Sequence, residues 1–259
     1  MKVNIDKLQG MDRLLYVMKR LRKDCPWDAG QTHQSLKKYL LEETYEALET
    51  IDNERWDLLS SELGDILLQI VFHSEIASEN RNFKFEDVVH NITKKMIDRH
   101  PHVFGDKKLK TASDVSQNWE HLKVTGENRE SILSGIPKNS PALLQAQRLQ
   151  EKAATVGFEW DEVESVIEKI DEELQEFKAA FQAMETKNVE QEFGDLLFSL
   201  VNLSRYINID SEDALRKTNA KFVKRFKHIE NQYHNNPKAM KNASLDELDR
   251  HWTDAKKNE

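Results

Sequence analysis

The chain carries two copies of one unit, and whatever fold it adopts must build that unit twice. LLEETYEALET at 40–50 matches IDEELQEFKAA at 170–180, and SELGDILLQIV at 61–71 matches QEFGDLLFSLV at 191–201, both at an offset of 130 residues. Glu42, Glu43, Glu46, Glu62, Gly64 and Asp65 therefore correspond to Glu172, Glu173, Glu176, Glu192, Gly194 and Asp195. Around this acidic core the correspondence continues with small changes of offset, as surface loops allow. Trp27-Asp28 pairs with Trp160-Asp161, Lys95 and Arg99 with Lys221 and Arg225, and Trp119 and Lys123 with Trp252 and Lys256.

Between the copies, VTGENRESILSGIPKNSP at 124–141 holds two Gly and two Pro and reads as a linker. The modules are expected at 8–123 and 142–259. Their apolar residues fall at three- and four-residue steps, as in Val166, Ile170, Leu174, Phe177 and Phe181 or Leu59, Leu63, Ile66, Leu67 and Ile70, which is the helical period. With 32% charged residues, only 8 Gly and 5 Pro in 259, and no extended Val/Ile/Thr alternation, the prediction is an all-α fold. Each module reads as roughly four helices, packed in a bundle.

A net charge of −8 argues against a general nucleic-acid or membrane-surface binder, because those partners select basic surfaces. One cysteine, Cys25, excludes an internal disulfide and a thiolate zinc site and fits a reducing cytoplasm. The opening MKVNIDKLQGMD has no apolar signal core, and the most apolar stretch, Ile66 to Phe72, is too short to span a bilayer.

Residues three apart share a helix face, so Glu43/Glu46 and Glu62/Asp65 form carboxylate pairs, repeated as Glu173/Glu176 and Glu192/Asp195. Glu-rich helical stretches are usually solvated faces. Three details point elsewhere: Asp65 and Asp195 sit directly before the apolar runs ILLQIVF and LLFSLV, the pattern occurs twice, and Gly64 and Gly194 interrupt helical patterns at about 1 kcal/mol each. Those glycines predict close helix approach. Oxygen-only ligands select Mg²⁺ or Mn²⁺, whereas a di-iron bundle needs Glu-x-x-His pairs that neither copy has. Lys95/Arg99 and Lys221/Arg225, each four apart on one helix face, add cations for an anionic substrate. No GxxxxGK[ST] or GxGxxG signature is present. His100 and His102 in RHPHVFGD flank Pro101 and suit a turn better than a metal site.

The acidic pattern, with CPWDAGQTHQSLKKYLLEETYEAL, RHPHVFGD and KAATVGFEWD, resembles the MazG family of nucleoside triphosphate pyrophosphohydrolases over nearly the whole chain. The resemblance implies tandem all-α modules, a homodimer, Mg²⁺ dependence, and hydrolysis of ordinary nucleoside triphosphates to monophosphate and pyrophosphate. The implied metal ligands are Glu173, Glu176, Glu192 and Asp195, with Glu43, Glu46, Glu62 and Asp65 in the first module. Glu173, Asp195, Lys169, Lys221, Arg225 and Trp252 match nucleotide-contacting positions, with Lys256 beside them and Lys95, Arg99, Trp119 and Lys123 as first-module counterparts. In two-module members the second module is regarded as the main catalytic one. Expected chemistry is water attack at the α-phosphorus, with Glu172 (twin Glu42) as the candidate base and Trp252 stacking on the base without reading its edges. A pyrophosphatase narrow for dUTP or dCTP, and a non-catalytic dimerising module, are the competing readings.

Overall fold

The computed structural model describes residues 5–111, 114–115, 118–119, 131–184 and 186–258, and the expected site residue Lys123 lies outside them. Twelve α-helices and no strand occur among the described residues. The chain divides into two compact units between Leu109 and Lys110. Unit 1 contains α1 (Gly10–Asp24), α2 (Pro26–Ala29), α3 (His33–Asp52), α4 (Trp56–Glu79), α5 (Phe85–Arg99) and α6 (Pro101–Phe104). Unit 2 contains α7 (Ala142–Ala154), α8 (Val163–Ala183), α9 (Thr186–Tyr206), α10 (Ser211–Gln232), α11 (Pro237–Asn242) and α12 (Leu245–Lys257).

The centre of each unit is a hairpin of two long helices, α3/α4 and α8/α9. Local chemistry fixes where these helices begin. Thr32 and Ser35 form a reciprocal capping box, the Ser35 amide donating to Thr32 Oγ1 at 3.2 Å and the Thr32 amide to Ser35 Oγ at 2.9 Å. Asp210 and Ser244 accept from the amides of Asp213 and Glu247 and cap α10 and α12. In unit 1 the hairpin packs on α1 around Met18, Leu36, Val71, Phe72 and Ile76, all at most 4% exposed. Repeat symmetry places Leu36 opposite Val166 and Val71 opposite Val201, and those two are also buried, at 1% and 2%.

In unit 2, α7 leads into α8 through a left-handed turn. Gly157 has φ +81, its amide donates to Ala154 O at 2.9 Å, and the Phe158 amide donates to Ala153 O at 3.2 Å. This pair of bonds is a Schellman closure, for which glycine is the favoured residue. The segment after the turn is tied to α9 by Arg205 Nη1 to Glu159 at 2.8 Å and by the Tyr206 hydroxyl donating to Trp160 O at 2.6 Å. Unit 1 makes the equivalent tie differently, with Arg22 pairing with Glu79 and donating to the carbonyls of Asp28, Ala29 and Gln31.

One expectation changes, the one for the helical glycines. The described part of the expected linker, from Ser131 onward, is bound to unit 2: Lys152 Nζ donates to Ile132 O at 3.2 Å, and Gln145 Nε2 donates to the carbonyls of Lys138 and Ser140. Gly64 and Gly194 do not mark close helix approach, because a Cβ at either would meet nothing within 4 Å. In the His100–His102 segment Arg99 ends α5, Pro101 starts α6, and His100 Nδ1 lies 2.6 Å from Met96 O.

Replacing Phe72 by Ala is expected to destabilise unit 1 by about 3–5 kcal/mol. Urea unfolding followed by circular dichroism checks this, and a loss below about 1 kcal/mol would remove Phe72 from the core that holds the α3/α4 hairpin.

Candidate functional site

Packing α8 against α9 forces their acidic faces together. Carboxylate oxygens of Glu173, Glu176 and Glu192 lie within 4.8 Å of one another, and so do those of Glu43, Glu62 and Asp65 in unit 1. Each trio takes residues from both helices of its hairpin. Glu46 and Asp195 stand just outside these tightest groups but within their electrostatic reach, since Glu46 acts on Glu43 and Asp195 on Glu192. Burial, then repulsion from Asp65, Glu46, Glu42 and Glu62, pushes the Glu43 carboxyl above its usual range. Burial, then Glu176, Asp195 and Glu173, does the same to Glu192.

The two clusters differ in their counter-charge. Lys169 sits one turn before Glu173 and binds both neighbours, with Nζ 2.9 Å from Glu172 and 2.8 Å from the buried Glu173. Those two bonds, Glu173 first, hold the ammonium proton well above the ordinary lysine range. Glu172 is exposed and engaged by this lysine. At the equivalent place unit 1 has Tyr39, which packs against the apolar core. The leading charges acting on Glu43 are all carboxylates.

A second difference lies one helix turn further along. In unit 2 a cavity of about 350 Å³ opens beside the acidic cluster, lined at one end by Lys169, Glu173 and Asp195. Phe158, Trp160 and Phe198 supply aromatic walls, and Gln150, Ser199 and Asn202 a polar floor. Asp195, Phe198, Ser199, Asn202 and Arg205 all border it, at helical spacing along one side of α9. From Asp195 to Asn202 the helix rises about 10 Å, so one end of the cavity is ionic and the other apolar with a few polar groups. That combination is typical of small-ligand sites. Repeat symmetry puts Phe72 where unit 2 has Asn202, and Phe72 is 3% exposed inside the core that Tyr39 and Leu68 complete. Unit 1 thus fills with an aromatic ring the position that unit 2 leaves polar.

The remaining expected residues are placed elsewhere. Lys221 and Arg225 lie on α10 and Trp252 and Lys256 on α12, and none of them lines this cavity. The Arg225 guanidinium lies 5.4 Å from the Trp252 ring centre, and Phe222 packs on the same ring at 5.3 Å. Arg225 also borders a smaller concavity with Lys224, Lys227 and His228. Lys95 and Arg99 lie on α5, and Trp119 falls beyond the Leu109/Lys110 division. Gln150, Phe158, Ser199 and Asn202 are not among the expected site residues, and Trp160 stands out in the sequence only as the repeat partner of Trp27. One signal was available: Asn202 is polar inside the LLFSLVNL run, in the register where the first copy has Phe72.

The description of the matching family model is the MazG nucleotide pyrophosphohydrolase domain, found twice, at residues 31–104 and 161–230. These stretches contain both acidic hairpins. Over 249 residues, 95% of each chain, the protein is 45% identical to the nucleoside triphosphate pyrophosphohydrolase/pyrophosphatase MazG of Thermotoga maritima. It is 39% identical over 257 residues to the nucleoside triphosphate pyrophosphohydrolase of Escherichia coli K12, covering 96% of this chain and 98% of that one. A Bacillus subtilis protein, the uncharacterized YabN, is 44% identical over 238 residues, 91% of this chain and 49% of its own.

The raised carboxyl groups give a signed expectation for the metal-free protein. Through the interval above the ordinary value of 4.5, the folded state holds protons on Glu43 and Glu192 that the unfolded chain has released. These groups therefore favour the fold at low pH, and that contribution is lost as pH rises through their folded values. In chelator-containing buffer, Glu192→Gln is expected to raise Tm at pH 7.5 and to leave it nearly unchanged at pH 4. Equal shifts at both pH values, read by scanning calorimetry, would contradict the repulsion.

Proposed function

Because the chain belongs to the MazG family and is a nucleoside triphosphate pyrophosphohydrolase, we propose that unit 2 is its catalytic unit, cleaving between the α- and β-phosphates. Water adds to the α-phosphorus, the bond to the bridging oxygen breaks, and the products are a nucleoside monophosphate and pyrophosphate. The observation that carries this reading is the continuity of the acidic cluster with the cavity through Glu173, which belongs to both. A triphosphate at the carboxylates would leave its nucleoside facing the aromatic walls. Unit 1 has the carboxylates, but Tyr39 and Phe72 stand where unit 2 has Lys169 and Asn202.

The donor set fits a hard divalent cation: carboxylate oxygens from two helices converge, and their repulsion is relieved by positive charge. Glu173, Glu176, Glu192 and Asp195 would hold Mg²⁺, or Mn²⁺ in its place, with Glu43, Glu46, Glu62 and Asp65 as the first-unit set. When bound, the metal supplies Lewis-acid charge at the phosphates and acidifies water. Lys169, held protonated by Glu173 and Glu172, keeps a fixed cation at the cavity's ionic end, where negative charge develops. Glu172, engaged by that lysine beside the carboxylates, is the base we assign to take the attacking water's proton. Phe158 and Trp160 give any base a flat surface, which supports broad base use and moves the stacking role away from Trp252.

A homodimer is part of the proposal. Phe181, Phe193, Leu200 and Phe222 are 46–66% exposed on the long helices of unit 2, an apolar surface a second copy would cover. No helix of the described residues is long and apolar enough to cross a membrane, and the lone Cys25 supports a reducing cytoplasmic setting.

Hydrolysis of ATP in ¹⁸O-labelled water is expected to place label in AMP. Labelled inorganic phosphate with ADP would refute attack at the α-phosphorus. Glu173→Gln should lower kcat by about 100-fold or more, Glu43→Gln by less than about twofold, and chelation of divalent cations should abolish turnover. Near-normal turnover by Glu173→Gln would overturn the assignment of unit 2. A panel of ribo- and deoxynucleoside triphosphates should be hydrolysed at comparable rates, and a single strong preference for dUTP or dCTP would replace broad use with the narrow alternative.

A further inference from the structure

We propose that Asn202 and Gln150 read the hydrogen-bonding edge of the nucleotide base in unit 2, a role that rests on the nucleotide site proposed above. Both side chains are more than nine-tenths buried, at 7% and 8% exposure, and both line the cavity. A buried amide is normally hydrogen-bonded, and leaving one unsatisfied costs about 1–3 kcal/mol. Gln150 is half satisfied. Its Nε2 donates to Phe198 O at 2.8 Å, which fixes which end of the amide is oxygen, and that Oε1 is buried without a partner. No described residue hydrogen-bonds the Asn202 amide. Two under-used amides thus share one small cavity, about 10 Å along α9 from the carboxylate end in the case of Asn202.

Their surroundings select the ligand part. Leu149, Ala153, Phe158, Trp160 and Phe198 form apolar and aromatic walls, which suit a planar base rather than a hydroxylated sugar. An amide offers one donor and one acceptor side by side, the pattern that pairs with adjacent groups on a base edge. Each common base carries such a donor next to an acceptor, in one order or the other. An asparagine amide can turn over to meet either order, while the fixed Gln150 oxygen asks only for a donor. The pair therefore demands a polar base edge without specifying which base.

The test compares ATP with purine riboside triphosphate, which keeps the ring but lacks the exocyclic amine, for the full-length wild type, Asn202→Leu and Gln150→Met. The wild type is expected to favour ATP by about tenfold in kcat/KM. In each variant that ratio should fall to within about twofold of unity, mainly through a rise in KM for ATP. Thermal melts check that each variant is folded, since Gln150→Met also gives up the hydrogen bond to Phe198 O. A tenfold ratio retained in both folded variants would overturn the proposal. So would a change confined to the ratio of ATP to dATP, which would assign the amides to the ribose. If one variant fails to fold, the other decides by the same ratio. Absence of turnover of every nucleotide by the wild type would overturn the nucleotide site itself, an outcome distinct from an unchanged ratio.

Discussion

Mutual repulsion among carboxylates that the helix packing brings together is the constraint around which each unit is built. Alone, an acidic helix would disperse such charges into water. Here Val166 and Val201, or Leu36 and Val71, pull the two helices of a hairpin into contact on one side, and the acidic faces converge on the other. The raised carboxyl groups of Glu43 and Glu192 register that cost. Hydrophobic burial supplies the opposing free energy, at about 25 cal/mol per Å², so the site is assembled by the core rather than by its own attractions.

The surroundings of the acidic cluster differ between the two copies. Unit 2 places Lys169 against Glu173 and Glu172, and beyond them it keeps a cavity with a polar floor. Unit 1 has Tyr39 and Phe72 at the same two positions, and both go into its core. Core packing of that kind favours stability, whereas a cavity with a buried, unpartnered amide oxygen is a local loss of stability that ligand binding can recover.

Much of this organisation was legible in the sequence. Periodicity and the 130-residue offset identify the helices, the repeat and the acidic residues, because carboxylates three apart on a helix must share a face whatever packs around them. Capping residues such as Thr32 and Asp210 mark helix starts locally. The cavity was harder to read, since it depends on what three helices leave unfilled, and a buried Gln150 looks in sequence like any surface glutamine. Gly64 and Gly194 misled for a related reason, because glycine within a helix does not say whether anything lies opposite it. Lys221, Arg225 and Trp252 match the resemblance by residue type, and the Arg225 guanidinium and Phe222 of α10 pack on the Trp252 ring of α12.

Binding stoichiometry tests the central claim, that the nucleotide site belongs to unit 2, most directly. Titration calorimetry with a non-hydrolysable α,β-methylene nucleoside triphosphate and Mg²⁺ should give one site per chain. Asn202→Phe, which copies the first unit's residue into the second, should eliminate that site while the protein remains folded by thermal melt. Two equivalent sites per chain, or undiminished affinity in folded Asn202→Phe, would contradict it.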